Sequence, residues 1–198
     1  MIPVQLKPEP ATFDARVRVR GMAYLKKNGF ALHLGLPSGT EPPSYWRESL
    51  DDLHAAYDGV CAYLGIYFER VSGLSVDHYI AKSTNAQGIY EWDNYRLACS
   101  TLNSRKRDYS TVLDPCYLAS DLFRLQLSSG HIYPKPGLAA APTRVIEQTI
   151  ERLGLDDATC REMRARRFQE YIQYNLPQDY LKMMSPFIWA EANRQGLL

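Results

Sequence analysis

Between Tyr63 and Arg107 the chain changes its pattern twice, and this change most constrains what it can fold into. Ile66-Tyr67-Phe68 and Leu74-Ser75-Val76 read as β-like runs on either side of a turn at Ser72-Gly73. A loop rich in Ser, Thr, Asn and Gln follows from Lys82 to Gly88, then a short run, Tyr95-Arg96-Leu97-Ala98, and a helix opening near Cys99. Short strands followed at once by a helix, with helical sequence on both sides, predict an α+β fold: a small ββα centre embedded in helical N- and C-terminal extensions.

The flanks are read in the same way. Residues 1–45 form an irregular arm with prolines at 3, 8 and 10 and the breaker-rich stretch Gly35 to Pro43. Arg16, Arg18, Arg20, Lys26 and Lys27 make this arm basic; it is either a solvated loop with a short helix or a phosphate-contacting arm. Trp46, Leu50, Leu53, Tyr57 and Val60 recur on one helical face, predicting a helix from Ser44 to about Ala62. Leu122 to Leu127 alternates like a strand, and Ile132-Tyr133-Pro134 can pair with it across Ser129-Gly130. Helices are expected over Thr143–Leu153, Asp157 to about Tyr174, and Gln178 to about Ala192, the first stopped by Gly154. The expected organisation is therefore an arm at 1–45, a helix plus ββα core at 46–115, and a hairpin with C-terminal helices at 116–198, all in one compact unit. The arginines at 161, 164, 166 and 167 read as a charged, mostly solvated helix face, and His33, His54 and His131 as surface residues.

Composition narrows the function classes. A chain of 198 residues with 45% hydrophobic residues can bury a core without disulfide staples. With 23 Lys+Arg against 22 Asp+Glu, any affinity for a polyanion must come from local clustering of charge. No segment approaches about 18 consecutive apolar residues, so no membrane span is expected. The N-terminus lacks the basic start and apolar run of a signal peptide, and the four cysteines at 61, 99, 116 and 160 do not suggest a disulfide framework. A cytoplasmic location is expected.

The residues that could carry chemistry sit in the central stretch. Asp77-His78 ends a strand, Asn94 follows in Trp92-Asp93-Asn94-Tyr95, and Asn103 opens the helix of Cys99-Ser100-Thr101-Leu102-Asn103-Ser104-Arg105-Lys106-Arg107. Metal-assisted phosphodiester cleavage needs a hard cation held by oxygen, a base for water, and positive charge around phosphate. Asp77 offers a carboxylate and Asn103 an amide oxygen, a sparse pair that leaves positions for water and phosphate. His78, with an ordinary pKa of about 6.5, suits a neutral general base. Arg105, Lys106 and Arg107, with Lys82, are the candidate nucleic-acid contacts.

In these residues the chain resembles the HNH (ββα-metal) endonuclease family, in its Asp-His variant. The resemblance implies metal-dependent hydrolysis, with Asp77 and Asn103 as ligands of Mg²⁺ or Mn²⁺ and His78 as the water-activating base. It places Asn94 at the central Asn of the motif, which braces the loop by hydrogen bonding, and Lys106 at a basic position three residues beyond the helix Asn. Many family members also hold a structural zinc with two Cys-x-x-Cys pairs. Here Cys61-x-x-Leu64 and Cys99-x-x-Leu102 keep one Cys of each, so no structural zinc is expected, and Cys61 and Cys99 are expected as neighbouring buried thiols.

A softer resemblance extends over Lys7 to Asp14, Trp46 to Cys61, Asp93 to Cys99 and Ile150 to Asp156. These are similar to bacterial HNH proteins paired with an SMC- or ABC-like ATPase in Septu-type and retron-linked anti-phage defence. That implies a nuclease effector acting on nucleic acid (DNA expected, RNA also open) beside an ATPase partner subunit. The rival reading is a non-catalytic nucleic-acid-binding or assembly subunit on the same scaffold.

Overall fold

In the computed structural model of the chain, which describes residues 1–198, seven α-helices and two small antiparallel sheets make a mixed α/β fold. The chain divides into two units that interleave in sequence: residues 6–59 with 69–110, and residues 1–5 with 60–68 and 111–198. The three consecutive segments read from the sequence are therefore not the units of the fold. The chain passes between the two units at 5–6, 59–60, 68–69 and 110–111, and no composition change marks these crossings.

In the first of these units, β1 (Leu74–His78) pairs antiparallel with β2 (Tyr95–Cys99), with Asp77 opposite Arg96 and His78 opposite Tyr95. Helix α3 (Ser100–Lys106) starts on the residue after β2, so the order strand, strand, helix is as expected. Before them come a wider turn at Asp14–Arg18 and α1 (Val19–Lys27). Gly21 allows α1 to approach Tyr90, because a Cβ there would fall 2.1 Å from the ring. Phe13 meets Trp92 and Tyr95 edge-on at 5.5 and 5.7 Å between centroids, a geometry that adds about 0.5–1.5 kcal/mol per pair beyond burial.

The helix expected from Ser44 to Ala62 is shorter. A 3-10 turn at Tyr45–Ser49 leads into α2 (Leu50–Ala56), which stops because Asp58 and Gly59 both take positive φ, 51° and 68°. Of the five cations of the expected basic arm, Lys26 and Lys27 are exposed and the three arginines are paired within their own unit. Arg16 pairs with Asp52, Arg18 with Glu9, Asp14 and Glu91, and Arg20 with Glu48 while lying 4.0 Å from the Tyr45 ring. These arginines are tied to carboxylates, not displayed for phosphate.

In the second unit, β3 (Phe123–Gln126) pairs with β4 (His131–Pro134). Helices α4 (Ala140–Leu153) and α5 (Ala158–Gln173) follow, α4 ended by Gly154 at φ 62° and α5 capped by Asp157, which accepts from the Cys160 amide at 2.8 Å. The helix expected from Gln178 to Ala192 is two helices, α6 (Gln178–Met184) and α7 (Pro186–Arg194). Pro186 cannot donate a helical hydrogen bond, and Ser185 before it leaves the helical region at φ −154°. The run Ile66-Tyr67-Phe68 is not a strand; Tyr67 makes one isolated bridge with Val60.

The arginine face of α5 also needs correcting. Arg164 is buried and donates to the carbonyls of Gly130 (2.8 Å) and Leu155 (2.6 Å), while Arg161 pairs with Asp156. Leu64 in this unit and Leu102 in the other are buried, as is Cys61; Cys99, on the other unit, is partly exposed, against the expectation of two buried thiols. No helix is long and apolar enough to cross a membrane.

Candidate active site

Asp77, His78 and Asn103 line one cavity of about 830 Å³. Its other lining residues include Leu36 to Thr40, Trp46, Arg47, Arg70, Ala81 to Ser83 and Arg107, all from the unit built around β1, β2 and α3. Two of these walls are joined by backbone: the Leu36 amide donates to the Lys82 carbonyl at 2.9 Å, and the Ala86 amide to the Leu34 carbonyl at 2.8 Å. Gly35 is required there, since a Cβ would sit 1.7 Å from the Ser83 carbonyl oxygen.

His78 closes β1 and is buried, with Trp46 and Tyr95 edge-on to its ring at 4.9 and 5.2 Å. Its Nε2 lies 2.9 Å from the Ile89 carbonyl oxygen. A carbonyl only accepts, so Nε2 carries the proton, and in the neutral ring Nδ1 holds the lone pair. Burial, with smaller contributions from the Lys82 and Lys106 charges and against the Ile89 bond, pushes the ring's pKa down to about 3. His78 is therefore neutral at physiological pH, in one defined tautomer. The Tyr95 hydroxyl donates to the same Ile89 carbonyl at 2.7 Å, so that oxygen is held from two directions.

Asn94 makes no contribution to the cavity lining. Its Oδ1 accepts from the Ile80 amide at 2.7 Å, and its Nδ2 donates to the carbonyls of Ile80 (3.0 Å) and Gly88 (2.8 Å). The Tyr79 amide donates to its backbone carbonyl at 2.9 Å. Every polar arm of Asn94 thus fastens the loop between β1 and β2, and this loop carries Ile89. Asn94 thereby braces the loop whose Ile89 carbonyl meets His78 Nε2.

Asn103 lies on α3, and its Nδ2 donates to Ser75 Oγ (3.0 Å) and the Val76 carbonyl (3.2 Å) on β1. That fixes the amide beside the strand carrying Asp77 and leaves Oδ1 as its remaining acceptor. No group of three or more His, Cys, Asp or Glu side chains is arranged to hold a metal ion. A cation here would have to use the sparse set expected from the sequence, the Asp77 carboxylate and the Asn103 amide oxygen. Both residues line the same cavity and both offer hard oxygen donors, the chemistry that Mg²⁺ or Mn²⁺ would take.

Lys106 departs from expectation. It is fully buried, and its Nζ donates to Asp77 Oδ1 (3.1 Å) and to the carbonyls of His78 (2.7 Å) and Tyr79 (3.0 Å). All three donors of the ammonium are engaged inside the unit, so Lys106 is a brace across the end of β1 and not a phosphate contact. Of the other expected contacts, Arg107 is exposed and lines the cavity, Arg105 is half-exposed and does not, and Lys82 lines it with Nζ 4.4 Å from the Trp46 ring centre. Burial, then the nearby Arg47 charge, lowers the Lys82 pKa against a smaller opposing effect of Glu41.

Sequence reading missed Trp46, Arg47, Arg70 and the Ile89 carbonyl. Trp46 was part of an apolar stripe and gave no sign of its contact with His78, and a backbone acceptor leaves no residue-type signal at all. No protein-family model matches the chain, and no curated protein matches it either. The resemblance to HNH nucleases thus rests on the residues quoted above.

Proposed function

We propose that this chain is a metal-dependent endonuclease of HNH type, hydrolysing phosphodiester bonds in nucleic acid. The observation that carries the reading is the state of His78: a neutral imidazole with Nε2–H tied to Ile89, beside Asp77 and Asn103 in one cavity. Such a ring can accept a proton only at Nδ1, which is the task of a base that activates water. As the water oxygen bonds to phosphorus, its proton passes to Nδ1 and the bond from phosphorus to the leaving oxygen breaks. An anionic phosphate in the cavity opposes the desolvation that keeps the ring neutral and so raises its basicity when substrate is present. A bound Mg²⁺ or Mn²⁺, held by Asp77 and Asn103, supplies charge stabilisation at the phosphate and the leaving oxygen.

Beyond the site, the softer resemblance supports a place as nuclease effector of a bacterial anti-phage complex with an ATPase partner. A second reading, a non-catalytic nucleic-acid-binding or assembly subunit, draws support from the Lys106 ammonium already set against Asp77. Nicking of supercoiled plasmid in Mg²⁺ or Mn²⁺, by the chain alone and co-purified with an ATPase encoded beside it, separates the two. Cleavage by wild type and none by His78→Gln supports the nuclease. Equal activity of both, or none with the partner present, favours the subunit.

A further inference from the structure

The cations around the cavity are not equivalent. Arg70 pairs with Asp51, and Lys106 with Asp77. Arg47, Lys82 and Arg107 line the cavity and form no ion pair. Arg47 comes from the 3-10 turn before α2 and Lys82 from the loop after β1, two segments brought to the same wall as His78. They are close enough for the charge of Arg47 to act on Lys82. Lys82 is also half-buried on the face of Trp46, the residue whose ring edge meets His78. The carboxylates nearby are Glu41, whose charge opposes that of Arg47 at Lys82 as the smaller effect, and Asp108 at the cavity lining.

Two like charges near each other without a direct ion-pair partner, one of them partly desolvated, repel each other, and Glu41 offsets this only in part. In the same unit Arg16, Arg18 and Arg20 all have carboxylate partners. An anion between Arg47 and Lys82 supplies what the protein does not. Arginine offers a planar donor fork that suits phosphate, and the lysine, seated on Trp46, offers a point charge at fixed depth.

We infer that Arg47 and Lys82 form a phosphate-binding subsite on the wall of the His78 cavity, which holds a backbone phosphate neighbouring the one positioned for cleavage. This deepens the nuclease reading and rests on it for the role of the neighbouring phosphate, although the subsite itself is a statement about binding. The ligand chemistry is the phosphodiester backbone, which single strands and duplexes share. A cavity of about 830 Å³ is the size of a small-ligand pocket and takes in only a short piece of backbone.

The test is binding of fluorescent single-stranded and duplex oligonucleotides to the 198-residue chain in chelator, where no cleavage occurs, across a salt series. Arg47→Gln and Lys82→Gln should each weaken binding and reduce the slope of log K against log salt by about one, for every sequence tried. Lys82→Arg should restore the slope, which loss of packing on Trp46 would not allow. Arg166→Gln, an exposed change on α5, should leave the slope as in wild type. Whichever oligonucleotide loses slope identifies the strand form the subsite takes. Wild-type slopes in both Gln variants, or no binding by wild type to either form, would overturn the subsite. Cleavage in Mn²⁺ is measured separately. Slope loss without any cleavage leaves the subsite standing and removes the nuclease reading; cleavage with unchanged slopes does the reverse.

Discussion

Lys106 and Asp77 form a buried ion pair beside the cavity: Nζ lies 3.1 Å from Oδ1, with the side chains 0% and 2% exposed. Removing one member of a buried pair leaves an uncompensated charge, which costs about 3–5 kcal/mol. Lys106→Met should therefore lower the denaturation midpoint sharply, and Asp77→Asn less so, because its amide oxygen can still accept from Nζ. Unchanged stability in Lys106→Met, with a reduced salt slope for oligonucleotides, would return Lys106 to the surface role expected from the sequence.

His78→Gln should cut cleavage by about 10²–10⁴-fold, the range for loss of a general base. Glutamine is the better probe than alanine here, because His78 is packed between Trp46 and Tyr95 and a truncation would leave a hole. Plasmid nicking at matched folded fraction checks this, and near-wild-type rates would remove His78 as the base.

Asn103→Ala should raise the metal concentration needed for half-maximal cleavage, with Mn²⁺ restoring more of the rate than Mg²⁺. Asp77→Asn, which keeps an acceptor for Lys106 Nζ, should resist such rescue, since a lost carboxylate charge is not replaced by water. Metal titrations of both variants that superimpose on wild type would show that neither residue is a ligand.

Elemental analysis of the purified chain should find no stoichiometric zinc, because Leu64 and Leu102 stand where thiolates would be needed and both are buried. About one zinc per chain, lost only on unfolding, would contradict this.

Asp156 gives a test of the second unit. Burial opposes its ionisation, but the Arg161 guanidinium, the Ile132 amide and His131 overcome it and hold its pKa at about 2. A carboxylate with a depressed pKa contributes stability that is present above its unfolded pKa of about 3.8 and is lost as pH falls toward 2. Asp156→Asn should flatten the fall in melting temperature between those pH values; an unaltered acid limb would rule out the contribution.

β1, β2 and α3 were legible as separate elements because each carries a local signal of period or breaker. Their pairing was not: the turn at Ser72-Gly73 pointed to 66–68 as the neighbour of β1, whose partner is β2. Lys106 was legible too, though it was read otherwise: three residues beyond Asn103 it shares the same helix face, so an α3 that turns Asn103 toward β1 must turn Lys106 there as well. The end of α2 at Asp58-Gly59 was hidden by an apolar stripe that continues past it. The break at Ser185-Pro186 was visible in the proline and was passed over because the apolar residues on either side keep helical spacing. The interleaving of the units was not legible, since it depends on contacts between distant stretches that no window of sequence contains.

The pairing of Arg16, Arg18 and Arg20 with carboxylates has a kinetic consequence. With net charge +1 and these cations locally cancelled, the chain has little far-reaching field to draw in a polyanion. Arg47, Lys82 and Arg107 line the cavity, and their influence beyond about 8–10 Å is screened at physiological ionic strength. Capture then depends on encounters at contact range, which are rare in dilute solution and frequent when a strand is held close by. Under the proposed nuclease function, such a chain would stay quiet toward bulk nucleic acid and act mainly on what a tether or carrier keeps at high local concentration.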